Sequence, residues 1–193
     1  MKNIAIFASG SGTNAENIIK YFSTQKSAKV TIVFSNKRHA LVLKRAENFG
    51  VESLFFERHD FYNTGKILNY LVEKKIDFIV LAGFLWLVPE NIIEKYKGRI
   101  VNIHPALLPS YGGKGMYGDV VHKAVIENRD TESGITIHYV NNHYDEGDII
   151  FQAKCRVDPS DDHEALAKKV HALEYEHFPR VIEELVSKLP EVH

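Results

Sequence analysis

An apolar run that ends in a glycine-rich turn and leads into a helical pattern is the feature that most constrains the fold. The run covers residues 3–8, the turn reads Ser-Gly-Ser-Gly-Thr-Asn over residues 9–14, and the helical pattern follows over residues 15–22. Strand, glycine loop and helix in this order open the doubly wound α/β folds. The start of such a helix offers unpaired N–H groups and the positive end of the helix dipole. The pattern therefore favours a phosphate-binding loop over a plain tight turn.

The rest of the chain alternates between strand and helix patterns, which favours one mostly parallel sheet. Further strands are predicted over residues 29–34, 51–56, 77–81, 100–103, 134–140 and 149–157. Helices are predicted over residues 39–50, 63–75, 90–96, 119–127 and 163–189, the last with a kink or break at Pro179. The final two strands read as a hairpin with a long loop. We therefore expect an α/β fold: a single doubly wound, mostly parallel sheet with helices on both faces and an antiparallel C-terminal strand pair.

Composition is that of an ordinary globular protein and narrows the range of partners. The 193 residues suit one α/β domain, and a formal net charge of −1 argues against a nucleic-acid binder that relies on a basic surface. The single cysteine, Cys155, excludes an internal disulfide and is typical of a reducing compartment. The N-terminal apolar run is too short for a signal peptide, and no later segment could span a membrane. These features predict a cytoplasmic protein without nucleic-acid or membrane partners.

A short strand that stops at a proline carries the strongest candidates for chemistry. Ile100 to Ile103 reads as a buried strand, and Pro105 ends it by removing a backbone donor. Asn102 and His104 are two residues apart, so both side chains should project to the same side at the carboxyl end of the strand, where open α/β sheets bind ligands. An amide beside a group that can become an imidazolium suits an oxyanion that develops on an attacked carbonyl. We expect His104 to lie at a loop edge, outside the main core.

Two loops are expected to border this strand end. The segment Leu85-Trp86-Leu87-Val88 follows a predicted strand and is either a core plug or a wall for a flat aromatic ligand. Residues 110–118 carry four glycines around Lys114 and should form a mobile loop over the site. Because Gly115 follows Lys114, this loop is not a Walker phosphate loop. His138, on the strand predicted after it, is interpreted as a satisfied core residue that can support the site.

Three other classes of protein fit the sequence less well. Gly10-x-Gly12-x-x-Ala15 formally matches the fingerprint of dinucleotide oxidoreductases, but Ser35-Asn36-Lys37-Arg38 follows the second strand without the expected carboxylate. An NADP-binding form that uses the two basic residues there stays open. A metalloenzyme is disfavoured because no ligand spacing such as His-Glu-x-x-His occurs. A non-catalytic nucleotide-binding module would leave Asn102 and His104 without a role.

The fourth class is transfer of an acyl-type group, and here the residues resemble a known family. The motif Asn102-x-His104-Pro105-x-Leu107-Leu108-Pro109, with Asp145 in a polar loop further along, is similar to that of the folate-dependent formyltransferases. The resemblance covers essentially the whole chain, from residues 9–14 through Leu81-Ala82-Gly83-Phe84 to the C-terminal helix. Within this superfamily, the phosphate loop and the chain length favour the branch that acts on phosphoribosylglycinamide in purine synthesis.

The resemblance implies a single formyltransferase domain over residues 1–193, with a phosphate-binding half up to about residue 100 and a catalytic and folate-binding half after it. It implies that 10-formyltetrahydrofolate is the co-substrate, that no metal takes part, and that the amine of phosphoribosylglycinamide accepts the formyl group. Another amine acceptor, such as an amino sugar nucleotide, stays open. Both a monomer and a homodimer are compatible with this interpretation.

The resemblance also implies roles for individual residues. Asn102 and a protonated His104 would donate hydrogen bonds to the oxyanion, while Asp145 would favour the imidazolium and relay the amine proton through water. The acceptor substrate would be held by Gly12, Thr13, Asn14, His171 and Glu174. The folate would contact Arg58, Leu85, Trp86, Leu87, Val88, Asn102, Asn141, Asn142, His143, Tyr144 and Asp145. The chain departs from the family pattern at Trp86, at His171 in place of a glutamine, and at the Gly112-Gly113-Lys114-Gly115 segment.

Overall fold

In the computed structural model, which describes residues 1–190, the chain forms one seven-stranded sheet covered by helices on both faces. The strands are β1 (Lys2–Phe7), β2 (Ala28–Ser35), β3 (Glu52–Phe55), β4 (Phe78–Leu81), β5 (Ile100–His104), β6 (Glu132–Tyr139) and β7 (Ile149–Arg156). The helices are α1 (Thr13–Ser23), α2 (Leu41–Asn48), α3 (Arg58–Tyr62), α4 (Lys66–Glu73), α5 (Glu90–Lys95), α6 (Asp119–Glu127) and α7 (His163–Ser187). The predicted α/β fold is confirmed.

The order of the strands creates a reversal beside β1. The sheet reads β3-β2-β1-β4-β5-β6-β7, with β1 parallel to both β2 and β4. The chain therefore runs outward from β1 to β3 and then returns to build the other half from β4. Strand β6 is antiparallel to β7, as predicted, and also to β5. Ligands of doubly wound sheets bind in the crevice at such a reversal, at the carboxyl ends of the strands.

Alternating side chains of β1 divide the core into two apolar layers. Ile4 and Ile6 are fully buried in the layer that contains α1 and α7, whereas Ala5 and Phe7 are buried in the layer that contains α4 and α5. The second layer is rich in aromatic rings, and Phe7 stacks on Phe34 with the ring centroids 4.7 Å apart. Burial on both faces explains why the parallel strands read as nearly continuous apolar runs.

One predicted helix differs from the observed structure. The helix expected over residues 63–75 begins only at Lys66, after Gly65 with φ of 68°, and the separate helix α3 precedes it. A helix of 5 residues is too short to show an apolar period in the sequence. In α4, Ile67 and Leu71 are buried, whereas Val72 is 47% exposed.

Helix α7 continues through Pro179, so the predicted break is absent. A proline inside a helix leaves the carbonyl four residues earlier without its usual donor. Here that carbonyl belongs to Tyr175, and it accepts a hydrogen bond of 2.9 Å from the side-chain amide of Asn17. A neighbouring helix therefore supplies the missing donor. Although α7 is 25 residues long, neither it nor any other helix within residues 1–190 is apolar enough over a sufficient length to cross a membrane.

Candidate functional site

A cavity of about 590 Å³ opens at the carboxyl ends of β1, β4 and β5, beside the reversal in strand order. Its lining comprises residues 10–14, 81–88, 102–105, 113–118 and 143–145, together with His122, His138, Val140, His171 and Glu174. Of the site residues predicted from the sequence, Arg58, Asn141 and Asn142 lie outside this lining, and the others belong to it. The fold therefore brings nearly all of the predicted positions together in one cavity.

The loop between β1 and α1 has the geometry of an anion site. Gly12 precedes the helix in the left-handed conformation, with φ of 75° and ψ of 26°, and no side chain caps the first turn of α1. The N–H groups of that turn are therefore free for a ligand. A Cβ added at Gly12 would lie 2.7 Å from the Cα of Val42 in α2. Backbone conformation and close packing thus both require glycine at this position.

Asn102, His104 and Asp145 meet at the centre of the cavity, as the sequence predicts, and His138 joins them. Asn102 Nδ2 lies 3.1 Å from His138 Nε2 and 3.4 Å from Asp145 Oδ1. His104 Nδ1 lies 3.5 Å from Asp145 Oδ2, and His104 Nε2 lies 2.7 Å from the carbonyl oxygen of Tyr111. Because that carbonyl can only accept, Nε2 of His104 carries a proton. The Nδ1 atom is the one that faces Asp145.

His104 is buried more deeply than the sequence suggests. It is the last residue of β5 and is only 3% exposed, so the expectation of a loop edge outside the core is wrong. Burial lowers the pKa of His104 by more than the charge of Asp145 and the Tyr111 carbonyl raise it. Burial thus opposes the imidazolium that Asp145 is expected to favour. When the ring is neutral, its free electron pair lies on Nδ1, towards Asp145.

Asp145 remains the charged member of this group. Burial raises its pKa, but the contacts with His138 and His104 and the Gly113 N–H together outweigh that effect and hold the pKa of Asp145 below its usual value. The Gly113 N–H donates to Asp145 Oδ2 over 3.0 Å. Asp145 itself has a φ of 55°, a backbone conformation that residues other than glycine adopt infrequently. Its contacts on several sides fix this conformation.

His138 supports the site more directly than its sequence context indicates. It is 2% exposed, and its Nδ1 lies 2.8 Å from the carbonyl oxygen of Tyr139. This contact keeps the proton on Nδ1, so Nε2 accepts from the amide of Asn102. His138 therefore fixes which way the Asn102 amide points. Its place on the same strand face as Thr136 was visible in the sequence, but its partner on β5 depends on the antiparallel register.

Glu174 organises a second polar group at the phosphate-loop end of the cavity. This carboxylate is 4% exposed, and its Oε2 accepts from Asn14 Nδ2 and from His171 Nδ1, each over 2.8 Å. The hydrogen bond and the charge of Glu174 raise the pKa of His171 against the opposing effect of burial. Two buried atoms nearby, Asn14 Oδ1 and His122 Nδ1, have no partner in the structure. Unpaired buried polar atoms of this kind are typical of a ligand site.

His122 is a lining residue that the sequence reasoning missed. It lies in α6 between the buried residues Val121 and Val125 and is itself only 1% exposed. Burial and the neighbouring His171 lower its pKa. The available signal in the sequence was a histidine on the apolar side of a predicted helix, which is an ambiguous pattern. The structure resolves it, because α6 packs on α7 with the ring centroids of His122 and His171 6.3 Å apart.

The opposite end of the cavity is an apolar wall formed by Leu85–Val88. The Leu85 N–H donates to the hydroxyl of Ser9 over 3.0 Å, and the Tyr62 hydroxyl donates to the Leu87 carbonyl over 2.8 Å, so both ends of the segment are held. The Trp86 ring packs on the aromatic layer of the core. The segment fills both of the roles expected for it, because it closes the core and lines the cavity. Arg58, outside the lining, lies 5.4 Å from the Trp86 ring.

These features define an α/β protein with an anion loop, a histidine–carboxylate centre and an apolar wall in one cavity at the strand reversal. A sequence profile of the formyl transferase family matches residues 2–182. The crystal structure of phosphoribosylglycinamide formyltransferase from Bacillus halodurans is similar with a TM-score of 0.86 at 36% identity, over 97% of this chain and 96% of that chain. The chain belongs to the formyl transferase family.

The match to this chain covers a different share of the length of each similar protein. Phosphoribosylglycinamide formyltransferase of Bacillus subtilis is 33% identical over 191 residues, which cover 96% of this chain and 95% of that protein. The chloroplastic enzyme of that name in Arabidopsis thaliana is 38% identical over 187 residues, and the match spans 64% of its length. The match to the trifunctional purine biosynthetic protein adenosine-3 of Drosophila pseudoobscura spans 14% of that protein.

Family membership favours formyl transfer over the NADP-binding oxidoreductase that the sequence left open. The basic residue Arg38, available to a 2′-phosphate in an NADP-binding protein, instead lies 4.4 Å from the Phe55 ring and 3.6 Å from Glu57. Within residues 1–190, no group of three or more His, Cys, Asp or Glu side chains is arranged to hold a metal ion.

Replacing Gly12 with alanine is expected to destabilise the fold by about 1–3 kcal/mol, because the new Cβ meets the Val42 backbone in a left-handed conformation. Urea unfolding measures this change. Gly10→Ala is the matched control, since a Cβ at Gly10 meets no atom within 4 Å. Equal stability of the two variants would contradict the close approach of loop and helix.

The ion pair of His171 and Glu174 predicts a dependence of stability on pH. Because the pKa of His171 is raised above 6.5 in the folded state, its contribution is complete below that value and is lost as pH rises through the folded pKa. The stability difference between the wild type and His171→Asn should therefore grow as pH falls from about 8 to about 6. Urea titrations across this range measure it. His39→Asn, at an exposed position outside the cavity, is the control, and a flat difference for His171→Asn would count against the pair.

Proposed function

We propose that this protein transfers the formyl group of 10-formyltetrahydrofolate to the amine of phosphoribosylglycinamide, and thereby acts in purine biosynthesis. The observation that carries the proposal is the arrangement of Asn102, His104 and Asp145 between an anion loop and an apolar wall within one cavity. A phosphate bound at the loop and a pteridine bound at the wall would bring the amine and the formyl group together at this centre. The names of the similar proteins support the choice of acceptor.

The acceptor substrate would bind at the Glu174 end of the cavity. The free N–H groups at the start of α1, over residues 12–14, suit the phosphate. Glu174, oriented by Asn14 and His171, has acceptor capacity for the ribose hydroxyls. The unpartnered atoms Asn14 Oδ1 and His122 Nδ1 support a polar ligand here. In this proposal the half up to about residue 100 supplies the phosphate loop, while the second half adds the catalytic residues.

The folate would bind against the apolar wall. Leu85–Val88 offers a surface for the flat pteridine, and His143 and Tyr144 face the same cavity from the loop after β6. Arg58 lies beyond Trp86, where its guanidinium can meet the carboxylates of the folate's glutamate tail. Asn141 and Asn142 stand outside the lining and have no assigned contact in this proposal.

The reaction exchanges one carbon–nitrogen bond for another. The acceptor amine attacks the formyl carbon, a tetrahedral oxyanion forms, and the bond from that carbon to N10 of the folate then breaks. One proton leaves the attacking nitrogen, and one proton reaches N10, so that the products are the N-formyl compound and tetrahydrofolate. The chain's residues therefore need to stabilise an oxyanion and to carry a proton between two nitrogens.

The pair of His104 and Asp145 suits the proton transfer. Neutral His104 presents the free electron pair of Nδ1 to Asp145 at 3.5 Å, and a proton arriving from the ammonium would lie between the two groups. The resulting imidazolium would appear only as the oxyanion forms, which is when its charge lowers the barrier. Burial, which lowers the pKa of His104, would disfavour the positive charge in the ground state.

The side-chain amide of Asn102 is suited to donate a hydrogen bond to the oxyanion. Its shorter contact, 3.1 Å to His138, holds the amide in place, whereas its contact of 3.4 Å to Asp145 is long for a hydrogen bond. A developing oxyanion could take over the second N–H of this amide at little cost. Preorganised donors of this kind give the largest gain because they need no reorientation during the reaction.

A spectrophotometric assay with 10-formyltetrahydrofolate, run with and without phosphoribosylglycinamide, tests the proposed function. We expect turnover that requires the acceptor. Consumption of the donor with water alone would identify a hydrolase instead, and an intact donor in both reactions would overturn the proposal.

Asp145→Asn is expected to lower kcat by about 10²- to 10⁴-fold with little change in KM, because the amide cannot accept the amine proton. Asp148→Asn, an exposed aspartate of the same loop, is the matched control and should retain wild-type turnover. A rise in KM at unchanged kcat for Asp145→Asn would show that this carboxylate only binds substrate.

A further inference from the structure

The glycine loop between β5 and α6 contributes a charged side chain that the proposed function leaves unused. Among the lysines and arginines of residues 1–190, Lys114 alone belongs to the lining of the cavity. The phosphate loop over residues 10–14 supplies only neutral donors, so a doubly charged phosphate there would lack a permanent counter-charge. The cavity therefore holds one strong candidate for that charge.

The backbone around Lys114 is a defined turn. The Met116 N–H donates to the Gly113 carbonyl over 3.1 Å, which makes Lys114 and Gly115 the two central residues of a four-residue turn. Gly115 has a φ of 90°, which this third position of the turn requires and which a side chain would oppose. Gly115 is thus needed for the turn that presents Lys114.

The turn is attached to the reaction centre at its first residue. The Gly113 N–H donates to Asp145 Oδ2, and Gly112 is packed so closely that a Cβ there would lie 2.7 Å from Leu108 Cδ2. Lys114 therefore starts one residue from the carboxylate that faces His104. A lysine side chain reaches about 6 Å from its backbone. Lys114 and the phosphate loop over residues 10–14 line the same cavity.

The other end of the loop lies beside the acceptor subsite. Gly118 precedes α6, and α6 packs on α7 so that His122 lies next to His171. His171 and Asn14 share the carboxylate of Glu174, and Asn14 belongs to the phosphate loop. The glycine loop therefore connects the reaction centre with α6, which packs beside the acceptor subsite.

Lys114 is not engaged by the protein itself. Within residues 1–190 its ammonium group forms no ion pair or hydrogen bond, and its side chain is exposed. Of the two acidic side chains in the lining, Asp145 is occupied by Gly113 and the histidines, and Glu174 by Asn14 and His171. Arg58 lies outside the lining, beside Trp86, where the folate tail would lie in the proposed function.

We propose that Lys114, presented by the glycine-flanked turn, binds the phosphate of the acceptor substrate and thereby selects phosphorylated acceptors. This inference rests on the proposed function for the identity of the acceptor. The phosphate would be held from two sides, by the N–H groups of α1 and by the ammonium of Lys114. The turn would set the direction from which the Lys114 ammonium approaches the phosphate, and the phosphate loop would set the distance between them.

The test compares Lys114→Gln, Lys114→Arg and the control Lys97→Gln, an exposed lysine outside the cavity. Loss of a charged hydrogen bond should raise the KM for phosphoribosylglycinamide about ten- to a hundredfold in Lys114→Gln, with the KM for the folate unchanged. Lys114→Arg should retain most of the affinity because the charge is kept. Raising the salt concentration should weaken acceptor binding less in Lys114→Gln than in the wild type.

Calorimetric titration with ribose 5-phosphate separates this inference from the proposed function, since it needs no turnover. Weaker binding of ribose 5-phosphate to Lys114→Gln, with unchanged binding to Lys97→Gln, supports the phosphate contact even if formyl transfer to phosphoribosylglycinamide is not observed. Equal binding to Lys114→Gln and the wild type overturns it. A raised KM for the folate alone would also overturn it and would reassign Lys114 to the folate carboxylates.

Discussion

The buried carboxylate of Asp145 is the interaction on which the cavity depends. It meets Asn102 and His104 from β5, His138 from β6 and the N–H of Gly113 from the glycine loop. Strands β5 and β6 and the glycine loop are therefore all held to the loop that carries Asp145. A buried charge is tolerated only when neighbouring groups compensate it, so these contacts have to form together. Asp145 also has a left-handed backbone conformation, with φ of 55°.

The histidines of the cavity differ in their surroundings and therefore in their protonation. Burial lowers the pKa of His104 and of His122, whereas the hydrogen bond that His171 donates to Glu174 raises that of His171. One polar cavity thus contains two rings that burial biases towards the neutral form and one ring that favours the charged form beside a carboxylate. Groups whose environments separate their pKa values in this way are suited to acid and base roles at one pH.

Much of the fold and of the candidate site could be predicted because the relevant signals are local. The strand alternation, the turn over residues 9–14 and the two-residue spacing of Asn102 and His104 each depend on neighbours in the chain. Helix α3 was missed because five residues carry no readable period. The unbroken helix through Pro179 could not be predicted, because the Asn17 amide that replaces its lost hydrogen bond comes from another helix.

The sequence by itself determined the class of fold, the position of the anion loop and the pairing of an amide with an imidazole at a strand end. Only the tertiary structure decided that His104 is buried and has a lowered pKa, that His138 orients Asn102, and that His122 joins the cavity. The physical reason is that desolvation and hydrogen-bond partners depend on side chains far apart in the chain, whereas periodicity and backbone preference are set by adjacent residues.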